Sequence, residues 1–190
     1  RYRIFDKQLF EMIGEDVCAQ NRIFYNRPTD DGCVLIVDAS VRVRGTAKAV
    51  ALGNDYHVSA TGYSSLDALG MGCVSADHRC KVFAYHDVTV HAQSSATISA
   101  FDRAHVDARG ETFISATDYC TVSAMDYASI KVFKKATVEA EGYCYVISLN
   151  NEKHKISGRT ILRYKDSNRV VLGEAIDSIT LTTQVSPLPQ

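Results

Sequence analysis

Every eighth position from Val50 to Val146 carries Val, Ile or Leu, thirteen in succession without an exception. Ala stands two residues later in ten of the thirteen units, from Ala60 to Ala140. Within one unit, Ala104-His105-Val106-Asp107-Ala108-Arg109-Gly110-Glu111, small or aliphatic residues alternate with polar ones. Period two is the signature of a strand with one buried face and one wet face. The slot that Gly110 fills holds Asn54, Gly62, Gly70, His78, Asp102, Asp118, Asp126 and Gly142 in other units. These residues tolerate turns and left-handed backbone. Each octad therefore reads as a short strand plus a corner, and the fixed period marks units that stack on one another.

The outward positions give the number of octads per rung. Three residues after the central aliphatic, alternate units read Gly53, Leu69, Tyr85, Phe101, Thr117, Phe133 and Leu149. The intervening units read Thr61, Asp77, Gln93, Arg109, Met125 and Glu141. A sixteen-residue period separates a mostly apolar series from a mostly polar one; a twenty-four-residue period mixes them. The fold class is therefore all-β: a parallel β-solenoid with two octads, sixteen residues, per rung, and two sheets back to back over a thin core of Ala and Val. Residues 48–151 form this rod, about six and a half rungs, roughly 30 Å long at ~4.8 Å per rung.

A solenoid has open ends and needs caps. Residues 1–47 are expected to form an N-terminal cap: one helix over residues 5–20 across the first rung, with Asp6 as N-cap and Leu9, Phe10 and Ile13 sharing a face, then a strand from Cys33 to Val37. Val34 and Ile36 fall in octad register, whereas Val41 and Val43 stand one residue out of step. After Asn150 the beat stops, and residues 152–190 read as a C-terminal cap. There Thr160 to Tyr164 and Arg169 to Leu172 form a β-hairpin around Lys165 to Asn168. Ile176, Ile179 and Leu181 suit a further strand, and Val185 to Gln190 a loose tail.

Composition narrows the function classes. A net charge of −1 gives no global field for nucleic acid, and the longest apolar run, Cys33 to Val37, is too short to span a bilayer. Of the six cysteines, Cys80, Cys120 and Cys144 occupy the same octad position, where other units carry Ala or Thr. They read as small buried thiols beyond disulfide reach of one another, which points to a reducing, cytoplasmic compartment.

The unit seen in Ala96-Thr97-Ile98-Ser99-Ala100-Phe101-Asp102 and Cys120-Thr121-Val122-Ser123-Ala124-Met125-Asp126 resembles octapeptide β-solenoid repeats of bacterial and phage proteins. The resemblance covers residues 48–151 and implies an architecture, with no common catalytic residue to carry over. Its most specific functional implication is a phage-encoded inhibitor of a bacterial defence complex.

Two surface constellations carry candidate chemistry. In a sixteen-residue rung His91 stacks against Asp107 and Thr89 against His105, with Ser75 and Ser123 flanking. Such a patch has the donors for a metal or a proton relay. A flat sheet face lacks the concavity of a catalytic site, however, and the bland alternative is a solvated pair. No catalytic residue, metal ligand or cofactor site is assigned. The second constellation is apolar: Leu69, Phe83, Tyr85, Phe101, Phe113, Phe133 and Tyr145 recur on one octad series. It is either corner packing or a strip that binds a partner. The expected function is a non-enzymatic protein-binding module acting through that strip on a protein partner or a second copy, such as a homodimer, with neither nucleic acid nor membrane as partner. The alternatives are a self-associating scaffold or structural part of a phage or bacterial particle, and activity housed in the non-repetitive ends.

Overall fold

The computed structural model describes residues 7–27, 34–167 and 169–173. Two short helices, α1 (Lys7–Ile13) and α2 (Glu15–Gln20), precede nineteen strands among these residues. The strands form two sheets, alternating between them along the chain except that the first two and the last two all belong to sheet A. Sheet A has eleven strands and sheet B has eight, one for each turn of a parallel β-solenoid. Through the body of the rod the register is sixteen residues: Ile98 lies beside Val82 and Ile114, and Val106 beside Val90 and Val122. Corner amides continue the ladder from rung to rung, as when Phe101 N donates to Ala84 O at 2.9 Å and Met125 N to Ala108 O at 2.9 Å.

The core is the thin layer expected. Val58, Val74, Val90 and Val106 from sheet B and Leu66, Val82, Ile98 and Ile130 from sheet A are fully buried, with Ala filling between them. Cys80, Cys120 and Cys144 are buried and free. Burial pushes the Cys80 and Cys120 thiols up to about 11. The corners take left-handed backbone at Gly62, His78, Ser94, Gly110, Asp126 and Gly142 on one side, and at Gly70, His86, Asp102, Asp118 and Lys134 on the other. At Gly70 a Cβ would lie 1.9 Å from the Gly53 carbonyl oxygen, so this corner admits nothing larger.

The start of the beat differs from the sequence reading. Val50 faces outward, and Ala49 and Ala51 are buried instead. Leu66 pairs with Ala49 and Val58 with Val41, a spacing of seventeen residues. The extra residue lies in the corner between Ala51 and Tyr56, both of them buried. Val41 and Val43 are thus core residues, while Val34 and Ile36 align with Lys48 and the outward Val50, and Val37 is the buried one. Gly53, not Asn54, takes the left-handed position there. Tyr56 enters an interior column otherwise filled by small residues, and Gly72, one rung on, makes room for its ring.

The ends differ too. The single helix over residues 5–20 is two helices broken at Gly14, whose φ of 91° no helix accommodates. Asp6 lies outside the described residues. The helices pack mainly on each other and on the edge strand Ile23–Tyr25 of sheet A, where the Phe10 and Tyr25 rings are 5.6 Å apart. At the far end the repeat runs past Asn150. His154 occupies the next aliphatic slot, and the Val138 amide, sixteen residues back, donates to its Nδ1 at 3.3 Å. Leu162 then pairs with Val146 in parallel and is buried. The hairpin is present: Ile161–Tyr164 pairs antiparallel with Val170–Leu172 and closes sheet A. Ile176, Ile179, Leu181 and the tail lie outside the described residues.

Candidate functional site

The two outward faces differ in chemistry because each is built from columns of residues sixteen apart. Sheet A presents three columns. The first runs Lys48, Ser65, Lys81, Thr97, Phe113, Ser129, Tyr145, Ile161. The second runs Val50, Asp67, Phe83, Ser99, Ser115, Lys131, Ile147, Arg163. The third lies at the corner: Leu52, Leu69, Tyr85, Phe101, Thr117, Phe133, Leu149, Lys165. Five basic side chains and one acid, Asp67, share this face with twelve apolar or aromatic ones. Partial desolvation raises the Asp67 carboxyl above its ordinary range.

All seven residues of the expected strip lie on this face. Leu69, Tyr85, Phe101 and Phe133 form the corner column, Phe83 the middle one, and Phe113 and Tyr145 the first. The structure divides them by exposure. Phe113 is 55% and Tyr145 38% exposed, while the other five are half-buried. Tyr85 and Phe101 stack on each other, with centroids 4.8 Å apart and planes at 9°, so part of their area is spent within the column. Toward the C-terminal end, Lys131, Phe133, Ile147, Leu149, Arg163 and Lys165 line an open groove of about 390 Å³.

The sequence reading found the aromatics and missed the bases beside them. Lys81, Lys131, Arg163 and Lys165 fall on the same sixteen-residue columns, so the spacing already held the signal. It also placed Gly53 where the shifted corner puts Leu52, and that shift adds Leu52 and Val50 to the apolar set.

Sheet B is polar. His91 and Asp107 are neighbours in register, as are Thr89 and His105. Asp107 accepts from both imidazoles: His91 Nδ1 lies 3.2 Å from one carboxylate oxygen and His105 Nε2 3.0 Å from the other. His105 Nδ1 meets Thr121 Oγ1 at 2.7 Å. Ser75 follows in the column beside His91. Beside them Gln93, Arg109, Ser123 and Met125 border a groove of about 540 Å³. The arrangement holds the carboxylate between two imidazoles. Nearby amides are committed to the ladder, Arg109 N to Ala92 O at 2.9 Å and His105 N to Val88 O at 2.9 Å. Among the described residues no three His, Cys, Asp or Glu side chains converge to hold a metal ion.

The exposed tyrosines of the corners are structural. Tyr127 and Tyr143 stack with centroids 5.2 Å apart, and Arg159 covers Tyr143 at 5.3 Å while donating to its hydroxyl at 3.1 Å. Among the described residues no helix is long and apolar enough to cross a membrane. Scans of family models, of curated proteins and of solved structures return no match to this chain.

Proposed function

We propose that this protein is a non-enzymatic binding module, a rigid β-solenoid that contacts another protein through the outward face of sheet A. The observation that carries this reading is the segregation of the two faces. Aromatic, aliphatic and basic side chains collect on sheet A, and sheet B carries the histidines, hydroxyls and mixed charge. Aromatic residues and Arg are the groups that dominate protein interfaces, and large apolar patches are rarely left wet. A cross-strand ladder fixes these side chains in advance, so little conformational entropy is lost on binding. Within this reading, inhibition of a bacterial defence complex by a phage-encoded protein is the specific setting that the octad resemblance brings. Free buried thiols suit a reducing, cytoplasmic setting.

A second reading, a self-associating scaffold or particle component, is favoured by one observation: α1 buries no residue and α2 only Cys18. Affinity capture from the organism of origin tests the first reading. Phe113→Glu with Tyr145→Glu is expected to abolish capture, and His91→Ala with His105→Ala to leave it intact. The reverse pattern, or capture insensitive to both pairs, overturns it.

A further inference from the structure

The N-terminal helices carry an exposed apolar surface. Leu9, Met12 and Ile13, at i, i+3 and i+4 of α1, are 39%, 82% and 41% exposed, and Val17 of α2 is 48% exposed. Isolated helices of seven and six residues are marginal in water, so they gain from a surface to lie on. Their exposed acids are Glu15, Asp16 and Glu11, the last with Lys7 Nζ 3.8 Å from its carboxylate.

At the other end of the rod, the groove on sheet A has the matching chemistry. Three bases, Lys131, Arg163 and Lys165, alternate with Phe133, Ile147 and Leu149. Among the described residues none of the three bases forms an ion pair. Lys7, Glu11, Glu15 and Asp16 together leave the helices net acidic, so with their four apolar side chains they complement a groove of three bases and three apolar side chains. Two copies of the groove would set base against base, so face-to-face pairing of sheet A is disfavoured.

The geometry points to a head-to-tail contact: the helical arm of one copy lies in the basic and apolar groove at the C-terminal end of sheet A of a second copy. This inference rests on the reading that sheet A is the contact face, and it names the occupant. The arm of the same copy does not reach. It is anchored to the edge strand Ile23–Tyr25, seven strands from the nearest groove strand, Ser129–Val132. Seven spacings of ~4.8 Å are roughly 34 Å. The thirteen helical residues, in two helices broken at Gly14, extend at most about 20 Å. That length is enough to cross the groove, whose rows occupy three adjacent strands of sheet A, roughly 10 Å across. A contact that uses the head of one copy and the tail of the next is heterologous, and it propagates unless the chain closes into a ring.

Sedimentation velocity of the purified full chain, over a wide concentration range and at low and high salt, tests this. Mass is expected to rise with concentration and to fall back with salt. The arm variant Glu11→Lys, Glu15→Lys, Asp16→Lys should associate at least tenfold more weakly. The groove variant Lys131→Glu, Arg163→Glu, Lys165→Glu should do the same. All six positions are exposed, so both variants should keep the far-ultraviolet circular dichroism of the native chain. Mixing the two variants should restore a mixed complex, since the reversed arm then meets a reversed groove. A chain that stays monomeric throughout, association that survives both variants, or a mixture that fails to recover overturns the inference. A monomeric chain whose capture of another protein still depends on Phe113 and Tyr145 removes the second-copy occupant and leaves the binding-module reading standing. Loss of that dependence as well removes both.

Discussion

Replacing Gly72 with Ala should destabilise the rod, and removing the Tyr56 ring should reverse the sign of that effect. A Cβ on Gly72 would lie 2.2 Å from Cε2 and Cζ of Tyr56 and 2.4 Å from Cδ2. Carbon atoms pack at about 3.5–4.0 Å, so the ring or the backbone must give by more than an ångström, roughly. Neither has room. The Tyr56 side chain is 2% exposed, and the backbone on both sides is held by ladder bonds, Cys73 N to Tyr56 O at 2.9 Å and Thr89 N to Gly72 O at 3.0 Å. Overpacking of this kind costs about 1–3 kcal/mol, and the reduced freedom of the unfolded chain returns about 0.4–1 kcal/mol, leaving a net loss of about 1–2 kcal/mol. Tyr56→Ala alone should cost about 3–5 kcal/mol as a large buried aromatic is lost. With the ring gone, Gly72→Ala has only favourable terms left and should be neutral or stabilising by up to about 1 kcal/mol. Urea unfolding of the four proteins, followed by circular dichroism, yields the coupling energy, expected at about 2 kcal/mol. An equal cost of Gly72→Ala in both backgrounds would refute the packing of Tyr56 beneath Gly72, and with it the corner insertion that brings them together.

Further outcomes follow from the same geometry. Val106→Asp places a carboxylate where the native side chain is fully buried between sheets, and should cost about 3–5 kcal/mol or prevent folding, read from the urea midpoint. Cys80, Cys120 and Cys144 should resist an aromatic disulfide reagent at pH 8 in the folded chain and react fully in urea, because burial both shields the thiols and raises them. His154 should make the C-terminal turn acid-sensitive. Its Nδ1 accepts from Val138 N, its Nε2 lies 3.0 Å from Ser148 Oγ, and burial holds its pKa below the usual imidazole value. The folded state therefore favours neutral imidazole. The stabilisation is complete above the unfolded pKa of about 6.5 and is lost as pH falls below it toward the depressed folded value. His154→Leu should flatten the melting temperature over that window; an unchanged pH profile contradicts the assignment.

Much of the architecture was legible because outward residues obeyed the period as strictly as inward ones. The contrast between the series from Leu69 to Leu149 and the series from Thr61 to Glu141 separates two sheets from three on sequence alone. What escaped was phase. In Lys48-Ala49-Val50-Ala51-Leu52 nearly every residue is apolar, so alternation could not say which faced in, and Val50 fitted a beat that its side chain does not keep. The break at Gly14 was hidden because a single Gly within an otherwise periodic helix does not by itself announce a positive φ. The last turn was missed because His154 stands where an aliphatic was expected; a half-buried, hydrogen-bonded imidazole fills the slot without hydrophobic pattern. The aromatic strip was visible by column, but its exposure was not. Tyr85 and Phe101 spend area on one another, whereas Phe113, between Thr97 and Ser129, has no ring to stack on and stays open.

Hydroxyl-radical footprinting of the chain, free and in complex with its bound protein, tests the division of labour between the two faces most directly. Protection should fall on Phe113, Phe133, Tyr145 and Ile161, residues of sheet A related by the sixteen-residue period, while His91, His105 and Met125 on sheet B keep their reactivity. Protection centred on the histidine face, or scattered without that period, would contradict it.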